Sequence, residues 1–131
     1  MLQAMSTDPA RDDSAYIEAV AEHQFSATEM QALYFAVAPF TLQLALEQRV
    51  QLAITTLLPL VGDIFKVQSA AYRAAWLLEN RDAPAVRGQW LEGADGTRIP
   101  NRQLLHQVGR APLQLTRRGE WFEPQLSLEA A

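Results

Sequence analysis

The chain has 131 residues, of which 49% are hydrophobic and 20% are charged, and this balance is typical of one folded globular domain. It contains no cysteine, which excludes disulfide bonds, thiolate metal sites and cysteine nucleophiles. The net charge of −4 argues against a protein that coats nucleic acid without sequence preference. A chain of this length is expected to bury a core of its own.

The N-terminal residues lack the basic and then apolar pattern of a secretory signal. Because chain ends are usually poorly ordered, we expect residues 1–13 to form a mobile tail and residues 14–131 to form one domain. A protein without a targeting segment is expected in the cytoplasm. Within the domain we expect a helical core over residues 14–80, a smaller mixed region over residues 81–124 and a short tail over residues 125–131.

The core begins with two predicted helices. A weak apolar repeat indicates a first helix over about residues 14–24, with His23 at the edge of the core. Ser26, followed three residues later by Glu29, is the capping-box pattern that begins a second helix. Pro39 is expected to end or kink this helix, because proline has no N–H group to donate.

Two further helices are predicted in the core. Thr41 is expected to cap the third helix, which runs towards a break at Pro59. Asp63 is a favourable cap for a fourth helix from about Ile64 to Glu79, in which apolar residues recur at three- and four-residue steps. The connections are short, so we expect the four helices to form an antiparallel bundle.

The stretch over residues 30–62 carries only two charged side chains, Glu47 and Arg49, which raises the alternative of a hairpin inserted in a membrane. Its longest uncharged run, residues 30–46, would span about 25 Å as a helix, less than the roughly 30 Å of a hydrocarbon core. Apolar residues also recur on one helical face, as they do in a helix that packs on one side. We therefore favour a buried core, and its broad apolar stripes favour self-association of the helices.

Arg49 is the unusual residue of the third helix, because it lies on the side occupied by small residues. Our interpretation is an arginine at the helix edge whose charged end reaches water. The alternative is an anchoring ion pair with Asp63 or Glu29, because a buried arginine requires a partner.

Residues 81–124 have the pattern of a ββαββ unit. Two short strands are expected over residues 88–92 and 97–99. The Asp95-Gly96 pair between them is a strong signal for a tight hairpin turn.

The second part of this unit begins with a short helix. Asn101 is expected to cap it, and Gly109 fits the position just after its end. Two more strands follow, around residues 113–116 and 120–123. Because an isolated hairpin is marginal in water, we expect the two hairpins to pair into one small sheet that packs on the helices. The predicted fold class is therefore α+β.

The charges are divided unequally along the chain. Residues 1–80 carry four basic and nine acidic side chains, a balance of −5, while residues 81–131 carry seven basic and six acidic side chains, a balance of +1. Residues 98–118 contain five arginines and one histidine but no acidic residue. Since arginine side chains match carboxylates and phosphates, this segment is the most promising binding feature.

The sequence contains no recognisable pattern of catalytic or metal-binding residues. Its two histidines, His23 and His106, are 83 positions apart, and neither a Gly-rich phosphate loop nor an acidic calcium loop is present. We therefore predict no catalytic residue, no metal site and no cofactor, and the interpretation leans against an enzyme.

The favoured hypothesis is a non-enzymatic bacterial interaction or regulatory protein that binds an acidic protein partner and self-associates through its helices. The predicted partner-binding residues are basic or aromatic and belong to the C-terminal part: Arg98, Arg102, His106, Arg110, Arg117, Arg118 and Trp121. One alternative is a nucleic-acid-binding regulator with a winged-helix-like C-terminal part. A second is a membrane-active or effector-type protein that inserts residues 30–62.

Overall fold

The computed structural model describes residues 12–93 and 97–128. Within them the chain has the predicted α+β fold, with four helices packed together in the N-terminal part and a fifth helix between two antiparallel strand pairs. The elements are α1 (Ser14–Ala21), α2 (Ala27–Thr41), α3 (Leu46–Val61), α4 (Ile64–Glu79), β1 (Trp90–Glu92), β2 (Arg98–Pro100), α5 (Arg102–Arg110), β3 (Leu113–Arg118) and β4 (Trp121–Leu126). The predicted turn at Asp95-Gly96, residues 1–11 of the predicted N-terminal tail and residues 129–131 of the predicted C-terminal tail lie outside the described residues.

Helix α4 lies at the centre of the core. Every residue from Ser69 to Leu78 is buried, because α1, α2, α3, α5 and β4 all pack against this helix. Four alanines at positions 70, 71, 74 and 75 leave room for the neighbouring helices to approach closely. No helix in the described part of the chain is both long and apolar enough to cross a membrane.

The predicted helix caps of α2 and α4 are confirmed. Ser26 Oγ accepts a hydrogen bond from the Glu29 amide, and Glu29 Oε1 accepts one from the Ser26 amide, which completes the capping box. Asp63 Oδ1 accepts hydrogen bonds from the amides of Phe65 and Lys66, so α4 begins at the expected residue. These caps depend on neighbours within three residues, which is why the sequence alone predicts them.

Helices α2 and α3 do not end at their prolines, so this part of the prediction was wrong. Pro39 lies inside the last turn of α2, which continues to Thr41, and Pro59 lies inside α3, which continues to Val61. A proline so close to the C-terminal end removes one hydrogen bond and leaves the rest of the helix intact. Thr41 therefore ends α2 and does not cap α3, whose N-cap residue, Ala45, makes no side-chain cap.

The two hairpins form separate two-stranded sheets, so the expected single sheet was wrong. The β1–β2 pair places Trp90 opposite Pro100, and the β3–β4 pair places Leu113 opposite Leu126. The β3–β4 hairpin packs against α1 and α4, which bury its apolar face without a further strand. Strand β4 ends at Leu126, two residues beyond the predicted end of the mixed region at residue 124. Leu126 is buried on the same apolar face of the hairpin.

Gly109 has a different role from the predicted one, since α5 continues to Arg110. A Cβ atom on Gly109 would lie 2.4 Å from the Phe25 carbonyl oxygen and 2.9 Å from Met30 Cγ. The Phe25 amide also donates a 2.9 Å hydrogen bond to the Gly109 carbonyl. Glycine is needed here because the backbone of α5 meets the segment before α2 at close range.

Arg49 is buried, so its predicted position at the solvent edge was wrong. The side chain is 5% exposed, and it donates hydrogen bonds to the carbonyls at the end of α2 and beyond: those of Thr41, Leu42 and Leu44, at 3.0, 3.2 and 2.7 Å. Its ion-pair partner is Glu79 at 3.3 Å, and not the expected Asp63 or Glu29. Burial lowers the pKa of Arg49, an effect that Glu79 opposes.

Arg73, which the sequence did not single out, is fully buried on α4. Its Nη1 donates to the carbonyls of Val108 and Ala111 at 2.7 and 2.8 Å, and its Nη2 donates to the His23 carbonyl at 3.0 Å. Its Nε donates to Ser69 Oγ at 3.2 Å. Burial lowers the pKa of Arg73 to about 10. Arg73 therefore satisfies carbonyls at the ends of α1 and α5 that have no partner within their own helices.

Candidate functional site

The seven predicted partner-binding residues are distributed over three parts of the structure. Arg98 lies on β2 and faces the end of α4. Three others follow one another along α5, and the remaining three belong to the β3–β4 hairpin, as follows: Arg102, His106 and Arg110 on α5, and Arg117, Arg118 and Trp121 on the hairpin. The arginines of these groups differ in whether an acidic residue of the chain already contacts them.

Arg98 is engaged within the chain. Its Nη1 forms an ion pair with Asp82 at 2.9 Å, and its Nη2 donates to the Arg81 carbonyl at 3.3 Å. The guanidinium also lies 5.5 Å from the centre of the Trp90 ring, within the range of a cation–π contact. The hydrogen bond from Arg98 holds the pKa of Asp82 below its usual value.

The arginines of the β3–β4 hairpin are also engaged within the chain. Arg117 donates to both carboxylate oxygens of Asp13, at 2.7 and 3.2 Å, and this bond raises the pKa of Arg117. Arg118 pairs with Glu123 on the neighbouring strand at 2.8 Å, and half-buried Trp121 lies opposite Arg118 in the register. A partner that bound these arginines would have to compete with the carboxylates that already contact them.

Helix α5 presents a row of basic side chains without such contacts in the part of the chain that the structure describes. Arg102, His106 and Arg110 are exposed and spaced four residues apart, so they lie on one side of the helix. In residues 12–93 and 97–128, no carboxylate lies within ion-pair distance of any of the three. We name these three residues the α5 basic face.

The α5 basic face is held rigidly by the opposite side of the helix. Leu104, Leu105 and Val108 are buried in the core, and Asn101 caps the first turn by accepting a hydrogen bond from the Leu104 amide. Arg73 holds the last turn through the Val108 carbonyl. Next to the C-terminal end of the face, His106 and Arg110 border a depression of about 320 Å³.

A second candidate site lies between α2, the end of α4 and the β1–β2 hairpin. This cleft has a volume of about 570 Å³, within the range of small-ligand pockets. We name it the α2–hairpin cleft. Its lining includes aromatic, aliphatic and cationic side chains: Tyr34, Phe35, Ala38, Pro39, Leu42, Leu78, Arg81, Trp90, Thr97, Arg98 and Ile99.

The pKa of Tyr34 reflects both the burial and the positive charge at this cleft. Burial raises the pKa of Tyr34 to about 12, and nearby Arg81, Arg98 and Arg49 oppose that rise because they favour the phenolate. Of the described residues that line the cleft, none is acidic. The cleft therefore combines apolar walls with positive charge.

Sequence reasoning missed this cleft, although Arg98 was among the predicted residues. Its walls come from segments that are far apart in the chain: residues 34–42, 78–81, 90 and 97–99. The only signals in the sequence are single aromatic residues, which are more often core residues than ligand contacts. In the part of the chain that the structure describes, His, Asp and Glu residues form no cluster of three or more that could hold a metal ion.

Comparison of the chain with protein-family models, with curated proteins and with solved structures found no match.

Proposed function

We propose that this protein is a non-enzymatic interaction or regulatory protein that binds an acidic protein partner through the α5 basic face. The observation that carries this proposal is the row of Arg102, His106 and Arg110, exposed on one rigid helix face with no carboxylate of the described chain in contact. Arginine forms paired hydrogen bonds with carboxylates, and a helix fixed by its buried side loses little freedom on binding.

The proposal narrows the binding surface expected from the sequence. Arg98, Arg117 and Arg118 each contact a carboxylate of the same chain, so a partner gains less from them. They are better described as residues that hold the hairpins in place.

An acidic protein is favoured over nucleic acid because the unneutralised stretch is short. Arg102 and Arg110 are eight positions apart, which corresponds to about 12 Å along a helix. Nucleic-acid binders commonly neutralise about six to ten phosphates. In a winged-helix arrangement the wing would be the β3–β4 hairpin, whose Arg117 and Arg118 are already neutralised by Asp13 and Glu123.

The proposal is tested with a fluorescently labelled octaglutamate peptide, whose binding is followed by fluorescence anisotropy at low and at physiological salt. We expect the doubly reversed variant Arg102→Glu/Arg110→Glu to lose at least about tenfold in affinity, because two attractive contacts become repulsive. The matched control is Lys66→Glu/Arg87→Glu, which changes the net charge equally on other parts of the surface and is expected to lose less than about threefold.

Equal affinity of the two variants would contradict the proposal, since it would show that only the net charge matters. Absence of binding by the native protein would contradict it as well. A DNA duplex is measured in parallel, and tighter binding to the duplex with a steep dependence on salt would favour the nucleic-acid alternative.

A further inference from the structure

We infer that the α2–hairpin cleft binds a small amphipathic carboxylic acid, with the apolar body of the acid in the cleft and its carboxylate against Arg81, beside the Arg98–Asp82 ion pair. The cleft shares no residue with the α5 basic face, so the two sites can be tested separately. Three features of the cleft support this ligand class: its apolar walls, its cationic end and a hydrogen-bond donor that lacks a partner.

The walls of the cleft are aromatic and held in place by one another. The Tyr34 ring makes edge-to-face contacts with Phe35 and Trp90, with ring centres 5.3 and 6.2 Å apart. Buried Leu78 contributes from α4. Phe35 and Leu42 are 38% and 41% exposed, so apolar area at the cleft is still open to water. Covering such area with an apolar ligand is favourable.

The cationic end of the cleft brings two arginines together. Both arginines line the cleft, and Arg98 Nη2 donates to the backbone carbonyl of Arg81, which holds the Arg98 side chain beside residue 81. Arg81 donates to the Leu78 carbonyl, and no carboxylate of the described residues lies within ion-pair distance of it. Since Asp82 neutralises Arg98, this end carries one positive charge in excess. A monocarboxylate matches that charge better than a phosphate dianion does.

Trp90, a wall residue of the cleft, carries a donor without a partner in the described chain. Its Nε1 is buried and has no hydrogen-bond partner among the described residues, although buried polar groups are nearly always paired. An oxygen atom of a ligand held beside Trp90 is the kind of acceptor that this group lacks.

The probes for this site are sodium octanoate, 1-octanol and octylammonium, which each contain eight carbon atoms and end in an anionic, a neutral and a cationic group. Binding to the full chain at neutral pH is measured by isothermal titration calorimetry. We expect saturable binding of octanoate, at least fivefold weaker binding of octanol and no measurable binding of octylammonium. The indole N–H resonance of Trp90 should shift more on adding octanoate than those of Trp76 and Trp121.

Three variants locate the site. Arg81→Gln should weaken octanoate binding by about fivefold or more and leave octanol binding unchanged, while Arg81→Lys, which keeps the charge but loses the guanidinium fork, should bind octanoate with intermediate affinity. Ala38→Phe, which fills the cleft without altering any charge, should weaken binding of both probes. The matched control is Arg87→Gln, an exposed arginine outside the cleft, which should bind octanoate as the native protein does.

A thermal melt of each variant confirms that it is folded. The inference is overturned if octanoate does not saturate, if octanol binds as tightly as octanoate, or if folded Ala38→Phe and Arg81→Gln bind octanoate as the native protein does.

Discussion

Arg73 shows how much one buried side chain contributes to the order of this fold. It lies on α4 and donates to carbonyls beyond the end of α1 and at the end of α5, without an acidic partner among the described residues. A charge placed in the core in this way is costly by itself, and the hydrogen bonds to the carbonyls offset that cost.

Replacing Arg73 by methionine, which fills similar space without donors, is expected to lower the free energy of unfolding by about 3 kcal/mol. The reason is that each buried carbonyl left without a donor costs about 1 to 3 kcal/mol. Urea unfolding followed by circular dichroism measures the change. Exposed Arg87→Met is the control and should change stability by less than about 0.5 kcal/mol. If Arg73→Met proved as stable as the native protein, the burial cost of the charge would equal the gain from its hydrogen bonds.

Ionisation of Tyr34 is expected to lower the stability of the protein at alkaline pH. Burial raises the pKa of Tyr34 from 10.0 to about 12, so the fold favours the neutral phenol. Its contribution to stability is complete below pH 10 and is lost as the pH rises from 10 towards 12. By pH 11 the free energy of unfolding should have fallen by about 1 kcal/mol through this group.

Tyr34→Phe cannot ionise and should therefore lose less stability than the native protein between pH 9 and pH 11. Urea midpoints at four pH values in this range provide the measurement. Burial also raises the pKa of Tyr72 and lowers that of Arg73, with opposite effects on stability, but both groups are present in the two proteins being compared. If the urea midpoints of the two proteins fell equally between pH 9 and pH 11, Tyr34 would not be the source of the pH dependence.

At the scale of elements, the packing of α5 depends on a glycine that helix propensity disfavours. Alanine is a better helix former than glycine by about 1 kcal/mol, so propensity alone predicts that Gly109→Ala stabilises the protein. The Phe25 carbonyl oxygen occupies the space that the new methyl group would need, only 2.4 Å away.

We therefore expect Gly109→Ala to lower the free energy of unfolding by about 2 kcal/mol, as overpacking in a core typically does. The same urea titration measures it. Gly88→Ala is the matched control, because no atom beyond its neighbours in the chain lies within 4 Å of a methyl group at that position. A Gly109→Ala variant more stable than the native protein would show that α5 can move away from Phe25 at little cost.

The helix boundaries show which parts of an element can be predicted from residues close together in the chain. The sequence predicts α4 from about Ile64 to Glu79, in agreement with the structure, because Asp63 caps the first turn and the apolar repeat ends at Leu78. It misplaces the ends of α2 and α3, where Arg49 donates to carbonyls after α2 from a position on α3. A contact between two helices has no signal in either helix alone.

At the scale of the whole molecule, the helical part leaves a group of apolar side chains exposed around the α3–α4 turn. Leu58, Leu60, Ile64 and Phe65 are 40%, 70%, 41% and 39% exposed. Neighbouring exposed apolar residues often mark a contact with another protein. Self-association through the helices, which the sequence suggested, stays a prediction. The exposed residues of the α3–α4 turn indicate the surface through which it would occur.

We expect the native protein to self-associate reversibly with rising concentration and Leu60→Glu/Phe65→Glu to remain a monomer, because charged side chains resist burial in a contact. Sedimentation equilibrium measures both. The control is Leu91→Glu, another strongly exposed leucine, on β1, which should associate as the native protein does. A native protein that stays monomeric at the highest concentration reached would exclude self-association.

The pairing of charged residues could not be predicted from the sequence. The acid-free segment over residues 98–118 contains five arginines, but three of them pair with acids outside it, including Asp13, which is 104 positions from Arg117. Only Arg102 and Arg110 remain without such a partner among the described residues. A count of charges along the chain does not show which of them meet in space.

The α+β class, the four packed helices with the caps of α2 and α4, and the separation of charge follow from the sequence alone, because they depend on composition and on neighbours within a few positions. The buried arginines, the two separate sheets, the close approach at Gly109 and the α2–hairpin cleft became evident in the three-dimensional structure. Those features join residues that are distant along the chain, and they arise when apolar surfaces pack and buried polar groups must find partners.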